Sequence, residues 1–158
     1  MFARDIMTPD VIWAYADDAV QDVVRRLAEF QISGMPVCDR HRQLVGIVTE
    51  ADVLAHSGVT VKDIMTHHVV TVTETTPVDH IAQLLTGKRI KRVPVMCGTQ
   101  VVGIVSRADI VRMMASRWTC GVCGAVHLGS MPAECDACGA PGHIFDREFD
   151  PRTEITSR

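Results

Sequence analysis

Aromatic side chains are scarce. Phe, Trp and Tyr make up 4% of the 158 residues, which leaves little surface for stacking bases. A cationic excess is also missing. Sixteen Lys and Arg stand against 19 Asp and Glu, a net charge of −3. A chain that neutralises many phosphates needs the opposite balance, so non-specific nucleic-acid binding is not expected. No apolar run approaches the ~18 residues of a membrane-spanning helix. The start, Met1-Phe2-Ala3-Arg4-Asp5, has no apolar run behind it and reads as no secretory signal, so the cytoplasm is the expected location. What is present is an ordinary globular balance, 47% hydrophobic and 22% charged, which excludes wholesale disorder. Six cysteines in a chain with no export signal point to thiols or metal rather than disulfides.

An internal repeat organises the first two thirds. Asp5-Ile6-Met7-Thr8 returns as Asp63-Ile64-Met65-Thr66, and Met35-Pro36-Val37 returns as Val93-Pro94-Val95 at the same offset. Gly46-Ile47-Val48-Thr49-Glu50-Ala51-Asp52 returns as Gly103-Ile104-Val105-Ser106-Arg107-Ala108-Asp109, one residue closer. Shared order, spacing and residue type make chance a poor explanation. Each unit reads strand, helix, strand, strand, helix. Strands are predicted over 11–15, 35–38 and 44–48, and again over 69–73, 93–97 and 101–105. Val20, Val23, Val24 and Leu27, like Val78, Ile81, Ala82 and Leu85, fall at helical spacing, and Pro77 suits the first turn of the second of these helices. Thr49 and Ser106 stand at N-cap positions ahead of helices over 50–55 and 107–116. One such unit buries too little surface to be stable alone. Two units packed together with pseudo-two-fold symmetry share a core and leave two clefts between them.

These blocks resemble a tandem pair of CBS domains, over residues 1 to 117. The resemblance implies an α+β fold, with repeats over 1–58 and 59–117. It also implies binding of AMP or another adenine nucleotide in the clefts and regulation of a partner protein, commonly as a homodimer. Thr49 with Asp52, and Ser106 with Asp109, match the positions that contact phosphate and ribose. Thr8, Val11 and Met35, with Thr66, Val69 and Val93, match those that flank the base. Lys91 and Arg92 match a basic pair that reaches phosphate, whereas Ser33 and Gly34 stand at that place in the first repeat. The residue chemistry is compatible. A carboxylate takes both ribose hydroxyls, and a helix opening at Thr49 or Ser106 offers backbone N–H groups to phosphate. Plainer roles compete. Thr49 and Asp52 are spaced as a helix cap, and Lys91 and Arg92 as a solvated basic helix end. His56, His67 and His68 read as loop histidines. Cys38 and Cys97 read as small buried side chains, and the methionines, Met7, Met65 and Met114 among them, as packing between domains.

After Arg117 the texture changes. Cys120-Gly-Val-Cys123-Gly and Cys135-Asp-Ala-Cys138-Gly are two Cys-x-x-Cys knuckles, the spacing that brings four thiolates to one tetrahedral metal. So few large apolar residues make the metal the core of this segment. Trp118, Pro132, Pro141 and Phe145 around the knuckles resemble the short rubredoxin-like domain, here over 118–149, with 150–158 as a flexible tail. Asp136 stands where that family usually has Pro. Zinc as a structural ion and iron as a redox centre both suit four thiolates, with zinc preferred. Between Trp118 and Phe149 the sole Lys or Arg is Arg147, which argues against a nucleic-acid-binding zinc ribbon. No nucleophile–base pairing stands out, so no catalytic residue is nominated and an enzyme is not expected. The expectation is a nucleotide-sensing regulatory pair carrying a metal domain. Its alternative is an electron-transfer protein whose iron centre is gated by nucleotide.

Overall fold

A computed structural model describes residues 1–149, so the tail expected over 150–158 lies outside the described residues. Contacts divide the chain into two compact units, one spanning Phe2–Ser106 and the other built mainly from Arg107 onward. The first unit runs α1 (Ala3–Ile6), β1 (Ala14–Tyr15), α2 (Val20–Glu29), β2 (Gly34–Cys38), β3 (Leu44–Thr49) and α3 (Glu50–Ala55). It then repeats itself as α4 (Val61–Ile64), β4 (Val72–Thr73), α5 (Val78–Gly87), β5 (Arg92–Cys97) and β6 (Gln100–Ser106). The repeats form two three-stranded sheets of like design. β1 lies parallel to β2, and β2 antiparallel to β3; β4, β5 and β6 copy that arrangement.

Local chemistry explains most of these elements. The helical spacing of α2 buries Val23 and Leu27, and that of α5 buries Val78, Ile81 and Leu85. Every residue of β2 is buried. The strands expected over 11–15 and 69–73 shrink to two residues each, because only Ala14 and Tyr15 pair with Val37 and Cys38, and Val72 and Thr73 with Val95 and Met96. In the first case the Val11 amide turns back onto the Pro9 carbonyl, 3.0 Å away, instead of joining a ladder. Pro77 is the N-cap of α5 rather than part of its first turn. Gln31 and Arg89, just past the ends of α2 and α5, both adopt positive φ, 51° and 55°, the left-handed turn that stops a helix. Cys38 is buried as expected, but Cys97 is exposed, because it closes β5 at the turn around Gly98.

The two repeats exchange their opening segments. The Ala3 amide, at the start of α1, donates to Thr76 O of the second repeat (2.9 Å), and the Val61 amide, at the start of α4, donates to Asp18 O of the first (2.9 Å). Thr8 bridges Ile104, and Thr66 bridges Ile47. Val61 and Ile64 of the second repeat pack into the buried cluster of Ala14, Val23, Met35, Val37 and Val48 in the first. Glycine makes this possible at two points. A Cβ on Gly103 would lie 2.3 Å from Met7 Sδ, and one on Gly46 would lie 2.6 Å from Met65 Sδ. Each repeat thus lays its methionine over the other's glycine, and the recurring Asp-Ile-Met-Thr and Gly-Ile-Val blocks are the two halves of one contact. Met114, by contrast, is 64% exposed.

The second unit contains α6 (Arg107–Ala115), β7 (Arg117–Cys120), β8 (Val126–Leu128) and β9 (Phe145–Phe149). β7 is the centre of an antiparallel sheet, with β8 and β9 on its flanks. The helix expected to run to 116 stops at Ala115; the Ser116 amide bonds to Met113 O (3.1 Å) and Arg117 already belongs to β7. The buried cluster is small: Cys120, Cys135, Ala140 and Phe145, with Trp118 and Ala125 against it. Among the described residues, no helix is long and apolar enough to cross a membrane.

Candidate functional site

A cavity of about 290 Å³ opens between the two repeats, near the lower end of the volumes that take small organic ligands. Thr49 and Asp52 reach it from the start of α3, Thr66 and Val69 from the segment after α4, and Lys91 and Arg92 from the start of β5. Six of the twelve nominated residues therefore meet in one place. They meet because the repeats exchange their openings: the last block of one repeat faces the first block of the other. This pairing was not legible in the sequence, where Asp52 and Thr66 are unrelated positions. His68, read as a loop histidine, also lines the cavity, as does Arg89.

Asp52 serves two partners. Its Oδ2 accepts the Thr49 amide at 2.8 Å and the Thr49 hydroxyl at 2.7 Å, while Thr49 Oγ1 accepts the Asp52 amide at 3.3 Å. This closed capping box bears out the cap reading. Two amides in the first turn of α3 are thereby engaged within the chain, that of Asp52 by Thr49 Oγ1 and that of Glu50 by Ser33 O at 3.1 Å. Asp52 Oδ1 is turned outward instead, accepting the Thr66 hydroxyl at 3.4 Å. One carboxylate oxygen holds the helix and the other faces the cleft.

Arg92 lines the cavity and also bonds within the chain. Its Nη1 donates to Gly34 O at 2.7 Å and its Nη2 donates to Ser33 Oγ. The residue expected to reach phosphate is engaged across the pseudo-symmetry axis by the very pair, Ser33 and Gly34, that replaces a basic pair in the first repeat. Gly34 fits because a Cβ there would meet Val48 O at 2.9 Å. Lys91 is left as the exposed cation of the cleft rim from that basic pair.

The other nominated residues lie elsewhere. Met35 and Val93 are fully buried in their sheets and are not among the residues that line this cavity. Thr8 lies against Ile104 at the pseudo-equivalent place to Thr66, and Val11 is half-buried nearby in sequence. Ser106 ends β6. Asp109, within the second unit, takes Arg112 Nη1 at 2.6 Å.

The four knuckle cysteines converge. Their sulfurs all lie within 4.8 Å of one another, with Cys120–Cys138 and Cys123–Cys135 at 3.7 Å. A tetrahedral metal with bonds of about 2.3 Å sets its sulfurs about 3.8 Å apart, so the donor set fits one thiophilic ion. Gly124 and Gly139 follow the knuckles at φ 74° and 72°, a turn that costs other residues strain. The amides of Gly124 and Gly139 bond back to Cys120 O and Cys135 O, both at 2.8 Å. His127, which the sequence did not single out, places Nε2 3.8 Å from Cys135 Sγ and Nδ1 3.8 Å from Asp136 Oδ2. The His127 ring, against the cost of desolvation and with help from the Ala137 and Cys138 amides and the Cys123 thiol, draws Cys135 down to about 6. The Ala140 amide favours the Cys138 thiolate, but the Cys123 thiol, desolvation and the Cys120 and Cys135 thiols outweigh it and push Cys138 up to about 12. Arg147 is stacked 5.3 Å over Trp118 and donates to Ser116 Oγ at 3.0 Å; the segment's one cation is turned inward.

A family model of the CBS domain matches residues 3–58 and again 61–116. The chain belongs to the CBS-domain family. The CBS pair is 35% identical over 118 residues to L-aspartate semialdehyde sulfurtransferase of Methanocaldococcus jannaschii, covering 72% of this chain and 23% of that protein. It is 34% identical over 113 residues to the mitochondrial CBS domain-containing protein CBSX3 of Arabidopsis thaliana, covering 64% of this chain and 55% of that one. The chain therefore spans roughly a quarter to a half of these curated relatives. Among solved structures, the CBS domain pair of protein MJ0100, in complex with 5′-methylthioadenosine and S-adenosyl-L-methionine, superposes with a TM-score of 0.67 at 35% identity, covering 71% of this chain and 94% of that one. CBSX2 in complex with AMP superposes with a TM-score of 0.67 at 29% identity, over 70% and 93% of the two chains.

Proposed function

We propose that the CBS pair is a regulatory module that takes an adenosine-bearing ligand in the cleft between Asp52 and Lys91. The observation that carries this reading is the outward oxygen of Asp52. It is held in place by a capping box and shares a small-molecule-sized cavity with Thr66, Val69 and Lys91. Asp52 takes the ribose hydroxyls, Val69 packs on the base and Lys91 meets phosphate where the ligand carries one. Two related CBS pairs whose structures hold adenosyl compounds or AMP support this class. Because Arg92 is engaged by Ser33 and Gly34, the cleft favours few phosphates, in line with AMP or a phosphate-free adenosyl ligand. Thr8, Val11 and Ser106 are proposed for the pseudo-equivalent cleft, with Met35 and Val93 as the floors of the two, and Asp109 keeps its proposed role as a ribose contact. Ligand in the clefts sets the pairing of the two repeats, and a homodimer or a protein partner in the cytoplasm reads it out.

Residues 118–149 form the rubredoxin-like metal domain in this reading, with Cys120, Cys123, Cys135 and Cys138 around zinc. When bound, the ion ties the two knuckles together. Iron is the second reading, favoured by one observation: Cys123 and Cys138, one per knuckle, are exposed, as electron exchange with a partner requires.

Calorimetric titration of the full chain with AMP, ATP, 5′-methylthioadenosine and S-adenosylmethionine tests the cleft. Asp52→Ala is expected to weaken the bound ligand at least about tenfold, the scale of one lost charge-assisted hydrogen bond. Loss of the cap costs only about 1 kcal/mol of stability, so the fold survives. Unchanged affinity would remove Asp52 from the site, and no uptake of any of the four would end the nucleotide reading.

A further inference from the structure

The thiolate cluster has a neighbour that the metal reading does not use. His127 lies on β8, between Val126 and Leu128. The two apolar neighbours are exposed and the His127 side chain is only 17% exposed. An imidazole turned inward from an edge strand needs a partner. Here it has three: Cys135 Sγ at 3.8 Å from Nε2, the Asp136 carboxylate at 3.8 Å from Nδ1, and the Phe145 ring edge-on at a centroid distance of 5.2 Å. The ring does not join the four sulfurs that cluster within 4.8 Å, so it stands outside the tetrahedron. Asp136 is the residue that departs from the rubredoxin-like pattern, and it faces this histidine.

We infer that His127 is a positioning residue for the metal, donating Nε2–H to the Cys135 thiolate while Phe145 and Asp136 hold the ring. Outer-shell donors of this kind fix a ligand's direction and slow its release. Asp136 is 92% exposed, so its share is the small one of a solvated polar contact. The inference rests on the reading that the four cysteines hold a metal.

The test uses full-length zinc-loaded protein and a chromophoric chelator. His127→Phe keeps a ring against Phe145 but has no donor, and is expected to weaken zinc retention by about 10- to 100-fold. His127→Gln keeps an N–H donor and is expected to recover most of the loss, a rescue that a packing role would not give. Asp136→Asn is expected to change retention by no more than about fivefold. In the ¹¹³Cd-loaded wild type, the same bond appears as an imidazole Nε2–H proton coupled to the metal, a readout that needs no variant. A coupling in the wild type supports the inference even where the phenylalanine variant does not fold, and its absence overturns it. Wild-type retention in His127→Phe overturns it too. A wild type that holds no metal overturns the metal reading as well as this one.

Discussion

The two units of this chain make their cores from different materials. The Phe2–Ser106 unit buries Val23, Met35, Val37, Val48, Val61, Ile81, Leu85, Val93 and Val95 essentially completely. Each such side chain contributes about 1.5–3 kcal/mol, and no single one is decisive. The second unit buries Cys120, Cys135, Ala140 and Phe145, and half of that set is thiol. The contrast separates distributed from concentrated stability. One unit falls by degrees as its contacts are removed, whereas in the proposed reading the other depends on a single four-thiolate joint.

The largest effect should come from breaking that joint. If the four cysteines hold a metal as proposed, Cys120→Ser, or treatment with a chelator, is expected to unfold residues 118–149 while leaving the repeat unit folded. Structural zinc in small domains is worth about 10–16 kcal/mol of apparent binding energy, far more than a cluster of four residues can supply. Amide NMR spectra before and after chelation give the check, and loss of dispersion in the repeat unit as well would show that the units are not independent.

A smaller effect should come from the distributed core. Leu85, on α5, is 1% exposed, and Leu85→Ala is expected to cost about 2–5 kcal/mol with metal content unchanged. Denaturant melts paired with metal analysis measure both sides. A fall in metal content would couple what the contrast separates.

The smallest effect concerns charge. Asp63 closes the start of α4, accepting the Thr60 amide at 2.8 Å, the Thr60 hydroxyl at 2.9 Å and the Val59 amide at 3.1 Å. The Thr60 amide and hydroxyl, and then the Val59 amide and Lys62, lower its pKa below the usual 3.8 against desolvation. A carboxyl whose folded pKa is depressed stabilises the fold above its unfolded value and loses that contribution as pH falls through the folded one. Asp63→Asn is therefore expected to flatten the acid limb of the repeat unit's thermal stability below about pH 4, and an unaltered limb would count against the cap.

How much of this was legible in the sequence follows from the same contrast. Knuckles are local, so all four cysteines were readable from spacing. Repeated strands, the helix at Thr49 and its cap were readable for the same reason. α1 and α4 were not, because four residues carry no periodicity. Nor was the cleft's pairing of Asp52 with Thr66, since no local signal records which repeat a loop will cross to. The bonds of Arg92 to Ser33 and Gly34 were not legible either, because those acceptors come from the other repeat. His127 is not legible in the sequence because a lone histidine has no pattern; only the fold of β8 against the second knuckle gives it a partner.

The crossed methionines have a final consequence. Met7 fills the hollow over Gly103 and Met65 the hollow over Gly46, so neither repeat meets its own methionine and each carries a knob and a socket that only a companion can satisfy. The stretch between the two matched domains is just residues 59–60. Its role is one of effective concentration: a short tether converts what would be an encounter between two separate molecules into an internal fit. The tether supplies none of that shape complementarity, which is written once in each half.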